Sequence, residues 1–263
     1  MRSSRFLRGI ASKGPTLRPR LGLALLVLLG FGALPALAQT PAPAPPTPSP
    51  APSPTAGVMA GAAYLVTYFE IAPAEGAKAV AALRLYAGEA RHADGNIGLL
   101  ALRERDRPGR FAMIEGWRDQ AALDAHMAAA KALADQLRPD LVSPFDSRQS
   151  IPLDIADRSL DAGPELQAAV FVLTHVDVLP TGKDTAVELV RALAAASRRQ
   201  NGNLVLDVLQ QANRANHMTL FEGWRDRAAY EAYIVADPTK DFRAKLTPLA
   251  GALYDERLYE PIL

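Results

Sequence analysis

Two side chains in this sequence are of the types needed to take a proton from a weakly acidic aromatic molecule and to hold what remains. His126 carries an imidazole with an ordinary pKa of about 6.5, so its neutral form is a natural base for a phenolic proton. Trp117, earlier on the chain, offers a flat apolar face and one N–H donor. His126 falls four residues after Ala122 and three after Leu123, a spacing that turns it with them on one helix face. A second pair with the same spacing is Trp224 and Tyr233, where a phenol of ordinary pKa about 10 replaces the base. Tyr68 and His175 occupy one shared register and are expected to add a polar group to each of two pockets. Plainer readings stand beside these: a tryptophan at a strand end serves packing with its N–H satisfied, and His126 serves as a structural imidazole.

Other chemistries are excluded or unsupported. The chain has no cysteine, which removes disulfides, thiolate nucleophiles and thiolate ligands to zinc or haem. The remaining histidines, His92 and His217, have no partner at metal-ligand spacing, and no phosphate loop, dinucleotide fingerprint or nucleophile elbow occurs. No cofactor and no metal are therefore expected.

The elements that must position these residues come in duplicate. Glu115-Gly116-Trp117-Arg118-Asp119 returns unchanged as Glu222-Gly223-Trp224-Arg225-Asp226, 107 positions later, and the register holds without a gap from about residue 62 to about 128. In each copy alternating bulky residues predict a first strand (Ala62 to Ile71; Ala168 to Leu179), followed by an Ala-rich helix with one apolar stripe (Val80, Leu83, Ala87, Ala90; Val187, Val190, Ala194, Ser197). Gly95-Asn96 and Gly202-Asn203 are expected to end these helices in a left-handed conformation. Two more strands follow in each copy, Ile97 to Arg103 with Phe111 to Trp117, and Leu204 to Gln210 with Met218 to Trp224. Asp119 and Asp226 then cap a second helix, and a last strand runs near Phe145 to Leu153 and Tyr254 to Pro261. The second copy carries two extra residues near Asp237-Pro238.

Strand, helix, strand, strand, helix, strand, twice, is the ferredoxin-like split βαβ order of an α+β protein. Such a sheet carries helices on one face, so its bare face needs a cover, and a second copy in the same chain supplies it. The expectation is two tandem ferredoxin-like domains, residues 61–153 and 166–263, packed sheet to sheet as a pseudo-dimeric barrel and joined by a linker at 154–165. On the shared strand face, Glu115 and Glu222 alternate with the tryptophans, and they are read as ion-pair partners of Arg118 and Arg225, or of Arg84 and Arg191.

Ahead of the domains, residues 1–38 hold six cations and no acid, then an uncharged run from Leu21 ending in Ala36-Leu37-Ala38. That is the pattern of a secretory signal cut after Ala38, with an uncleaved membrane anchor as the alternative, so an exported, periplasmic or secreted protein is expected. Losing the six cations takes 29 basic residues to 23 against 28 acidic ones, a net charge of −5 that makes nucleic acid an unsuitable partner. Residues 39–60, with proline at nearly every second position from Pro41 to Pro54, read as an extended spacer.

A strand reading Ile-Glu-Gly-Trp followed at once by a capped helix with Ala-Leu-Asp-Ala-His resembles the antibiotic biosynthesis monooxygenase domain family, of the dimeric α+β barrel superfamily. Phe111 to His126 carries the resemblance best, with Gly95-Asn96-Ile97 and the element order in agreement across both copies. It implies a fused version of a homodimer, hence a monomer with an internal pseudo-dimer. It also implies a pocket between sheet and helices lined by Trp117 and His126 in the first copy and by Trp224 and Tyr233 in the second. Glu115 borders that pocket, and the position four residues before each Trp, where relatives carry Asn, holds Met113 and Leu220. The activity implied is cofactor-independent monooxygenation of a small aromatic, quinol-type substrate by O₂. The alternatives are an envelope protein that binds a small hydrophobic molecule without turnover, and a purely structural envelope protein.

Overall fold

The computed structural model describes residues 61–156 and 169–262. The expected signal segment (1–38), the whole spacer (39–60) and most of the linker (154–165) lie outside the described residues. The first half contains β1 (Ala63–Ile71), α1 (Gly76–Ala90), β2 (Asn96–Glu104), β3 (Arg110–Trp117), α2 (Gln120–Leu137) and β4 (Leu141–Asp154). The second contains β5 (Val170–Asp177), α3 (Lys183–Ser197), β6 (Asn203–Gln211), β7 (His217–Trp224), α4 (Arg227–Ile234), α5 (Asp237–Leu246) and β8 (Asp255–Pro261). Each half thus has the expected order. Where α2 runs unbroken, its counterpart divides into α4 and α5, because Pro238 starts a new helix in its first turn and cannot continue an old one.

Among the described residues the strands close one antiparallel ring in the order β1-β3-β2-β8-β5-β7-β6-β4. Within a half the order is the ferredoxin-like 4-1-3-2, and the halves join where β8 pairs with β2 and β4 pairs with β6. The last strand of each half therefore hydrogen-bonds to the other half, which leaves no open sheet edge.

Alternation along the strands sorts the side chains into two sides. Tyr64, Val66, Ile114, Phe171, Leu173 and Phe221 belong to one core that draws on strands of both halves and on no helix, so it fills the barrel. The opposite strand faces carry the helices: Phe69, Leu99, Phe111 and Met113 pack on Leu83 and Tyr86 of α1 and Leu133 of α2, with a matching cluster in the second half. None of the described helices is long and apolar enough to cross a membrane.

Helices α1 and α3 end before the glycines that the sequence marks as their stops. They close at Ala90 and Ser197 on right-handed Arg91 and Arg198. Gly95 (φ +80°) and Gly202 (φ +86°) instead turn the chain into the next strand. A Cβ at either would lie 2.5 Å from the Cβ of Ala122 or Ala229, so these turns also let the first turn of α2 and α4 approach closely.

Candidate active site

The first-half site starts from β3, where a period of two places Met113, Glu115 and Trp117 on the helix side. The strand ends at Trp117, and Asp119 caps α2 by accepting from the Ala122 N–H at 2.8 Å. That cap sets the phase of α2, which buries Ala122, Leu123 and His126. The His126 ring then lies against Trp117 with 4.3 Å between centroids.

From α1 comes Tyr86. Its Oη is 2.8 Å from His126 Nε2 and 3.0 Å from each oxygen of Glu115, while His126 Nε2 is 3.5 Å from Glu115 Oε2. Three elements thus deliver a base, a hydroxyl and a carboxyl to one point. Glu115 is 0% exposed and His126 8%. Burial pushes the Glu115 carboxyl up to about 7, against the opposing effect of Tyr86 and Trp117. Burial also lowers His126 below its ordinary value, so the imidazole is neutral at neutral pH. Tyr86 is raised by burial and by the Glu115 charge and stays a phenol.

This arrangement corrects the reading of Glu115 and Glu222 as ion-pair partners of arginine. Arg118 leaves the strand end for solvent and pairs with Asp94 and Asp119; Arg225 likewise turns to Asn201 and Asp226. The glutamates point the other way, under the helices. Tyr86 is the functional residue that sequence reasoning missed. Its place on the apolar stripe beside Leu83 and Ala90 marks it as buried, but nothing local pairs it with a histidine on another helix.

In the second half Trp224 stacks on Tyr233 at 4.4 Å, and Trp224 Nε1 donates to Glu222 Oε2 at 3.1 Å. Tyr233 Oη reaches Glu222 only at 3.4 Å, and the position of Tyr86 is taken by Leu193. Burial pushes Glu222 up to about 8. Nearby, Tyr230 and Arg243 both donate to Glu256, the arginine at 2.7 Å.

Tyr68 does not join the helix-side site of the first half, contrary to the sequence reading, whereas His175 borders the second-half cavity beside Arg243 and Leu246. Tyr68 shares its strand face with Tyr64 and Val66 and so points into the barrel, where its ring meets His175 edge to face. Arg148 Nη1 holds the pair from β4, 3.1 Å from His175 Nδ1 and 3.2 Å from His217 Nε2. Burial, then the Arg148 charge, pushes His175 down to about 3 and His217 to about 4. Met113 shares the face of Glu115 and Trp117 but is packed into the core between sheet and helices.

A cavity of about 280 Å³ lies beside the first-half site, lined by Leu65, Met127, Ser147, Arg148 and Gln149, with Gln211, Ala212 and Asn213 of the second half as its far wall. Trp117 and His126 do not line it. Leu65 and Met127, which do, also pack against Trp117 and Leu123, so one layer of side chains separates the cavity from the indole. A second cavity, of about 290 Å³, lies in the second half among His175, Val176, Arg243, Leu246 and Tyr254. Among the described residues no group of three or more His, Asp or Glu could hold a metal ion.

The family model for antibiotic biosynthesis monooxygenase matches the chain twice, over residues 62–134 and 169–245. The chain belongs to the antibiotic biosynthesis monooxygenase family. Both matched segments run from the first strand of a half into its last helices, so this family member is a tandem of two family domains, and membership supports a monooxygenase-type function. No curated protein matches it. Among solved structures it is similar to a candidate monooxygenase from Fusobacterium nucleatum, at 17% identity and a TM-score of 0.69 over 78% of this chain and 94% of that one. A candidate monooxygenase from Lactobacillus acidophilus gives 13% and 0.64 over 77% and 95%, and an anthrone oxidase-like protein 15% and 0.59 over 76% and 91%. At these identities the likeness is one of fold.

Proposed function

We propose that this family member oxidises a small, electron-rich aromatic of the hydroquinone class with O₂ and without a cofactor, and that its first half does the chemistry. The observation that carries the reading is His126, a neutral imidazole packed against Trp117 with Nε2 held by Tyr86, which leaves Nδ1 to meet a substrate hydroxyl. The base takes the phenolic proton, and the phenolate passes one electron to O₂. Substrate radical and superoxide combine at a ring carbon, and the hydroperoxide loses water, so that one oxygen atom enters the product and the substrate supplies all the electrons. The indole supplies an apolar wall and one donor for the developing oxyanion.

The 280 Å³ cavity offers room for a substituted ring, since about 150 Å³ holds benzene. Ser147, Gln149 and Asn213 suit ring hydroxyls, and Met127, an unbranched side chain, is suited to move aside and open the way to His126. We further propose that the protein works outside the cytoplasm, on the strength of its leader-like first 38 residues.

A second reading rests on the cavity beside Arg243, in the half whose tryptophan has a tyrosine in place of an imidazole: capture of a small hydrophobic molecule without turnover. Oxygen uptake with a panel of hydroquinones decides, using protein cleared of flavin, haem and metal, together with ¹⁸O₂ labelling of the product. His126→Ala is expected to cost about 10²- to 10⁴-fold in kcat. A flat electrode trace with binding retained leaves the capture reading in its place.

A further inference from the structure

We infer that Glu115, reached through Tyr86, is the final acceptor of the proton that His126 removes, so that these residues form a proton relay in which the imidazole is only the first station. The inference rests on the proposed function for its direction and on geometry for its existence.

The two halves make the comparison. Each keeps a buried glutamate two residues before its tryptophan. If the glutamate served only to satisfy the indole, both halves would show that bond. The second half does: Trp224 Nε1 donates to Glu222. In the first half Trp117 Nε1 lies near enough to Glu115 to help hold its carboxyl down but makes no hydrogen bond of normal geometry, and both oxygens of Glu115 accept from the Tyr86 hydroxyl. The half that redirects its carboxyl is the half that has the hydroxyl and the imidazole, where the other has Leu193 and Tyr233.

The steps conserve protons and need no redox partner. His126 starts with its proton on Nε2, donated to Tyr86 Oη, while the Tyr86 O–H is donated to the Glu115 carboxylate. The substrate hydroxyl gives its proton to Nδ1, Nε2–H passes to Tyr86 Oη, and the tyrosine proton passes to Glu115. The products are a phenolate, a neutral imidazole in the other tautomer, a neutral tyrosine and a carboxylic acid. No buried imidazolium forms, which matters in a site where an unpaired charge is costly. The titratable groups meeting Glu115 are Tyr86 from α1 and His126 from α2, and Arg118 is committed to Asp94 and Asp119. With its carboxyl pushed up to about 7, Glu115 can take up a proton near neutral pH.

The relay is tested without turnover by ¹⁵N NMR of imidazole-labelled protein. As the pH falls through about 7 and Glu115 protonates, the hydrogen bonds reverse and His126 is expected to switch from the Nε2–H to the Nδ1–H tautomer. Tyr86→Phe and Glu115→Gln should each abolish the switch; because Tyr86→Phe cuts the chain and leaves both ends in place, it decides if Glu115→Gln does not fold. One tautomer between about pH 5 and 9, or a switch that survives Tyr86→Phe, overturns the relay. In turnover, each variant should lose about 10²-fold in kcat at unchanged KM, and the double variant should lose no more than the worse single one. Oxygen uptake that needs His126 but ignores both variants rejects the relay and keeps the proposed function. A tautomer switch in a protein that consumes no O₂ does the opposite.

Discussion

Tyr68 and His175, equivalent residues of the two halves, touch edge to face inside the barrel with 5.0 Å between their ring centroids. Residues that a duplication separates by 107 positions can meet only close to the pseudo-twofold axis, so this contact and Arg148 beside it join half to half.

That junction should be acid-sensitive. In the fold His175 is held at about 3 and His217 at about 4, by burial and by Arg148, with Arg257 and Arg214 adding to the depression and Asp255 and Asp177 opposing it. The unfolded chain takes up these protons near pH 6.5, so their contribution is present above about 6.5 and is lost as the pH falls toward 4. Urea midpoints between these pH values should fall less steeply in a His175→Gln/His217→Gln variant than in the wild type.

Glu222 predicts the opposite slope. Its folded value of about 8 lies above the unfolded one, so its contribution is complete below about 4.5 and disappears as the pH rises through 8. Glu222→Gln keeps an acceptor for Trp224 Nε1 and carries no charge. The variant should gain on the wild type as the pH is raised from about 6 to 9. Parallel stability curves would assign Glu222 an ordinary carboxylate's behaviour.

The halves should differ in function. His126→Ala removes the only imidazole that packs against a tryptophan among the described residues, whereas Tyr233→Phe keeps the Trp224 stack and loses a hydroxyl 3.4 Å from Glu222. Turnover, or binding of a hydroquinone measured by calorimetry, should suffer by at least about tenfold more from the first change. Equal losses would place the working pocket in both halves.

With every strand edge paired inside one chain, the protein from Gln39 onward should be a monomer by light scattering. Either half alone would expose β2 and β4, or β6 and β8, together with half of the barrel core, and should dimerise or aggregate. A mass near twice that of the chain contradicts the first statement, and a soluble monomeric half contradicts the second.

Local periodicity was enough to read the element order and the N-caps of α2 and α4. Asp119 and Asp226 announce the starts of α2 and α4, and the repeat of Glu-Gly-Trp-Arg-Asp shows that both halves share one strand-and-helix order. The helix side of His126 was also legible, because its spacing from Ala122 and Leu123 sets a phase that tertiary packing kept. What lies across from a residue was not. β1 is buried along nearly its whole length, since the barrel core covers one of its faces and the helices the other. Without a polar face, alternation shows that Tyr68 and Glu115 have sides but not which side is which. Only the assembled barrel turned Tyr68 and His175 inward, freed Glu115 from Arg118, and brought Tyr86 from another helix to stand between a carboxyl and an imidazole.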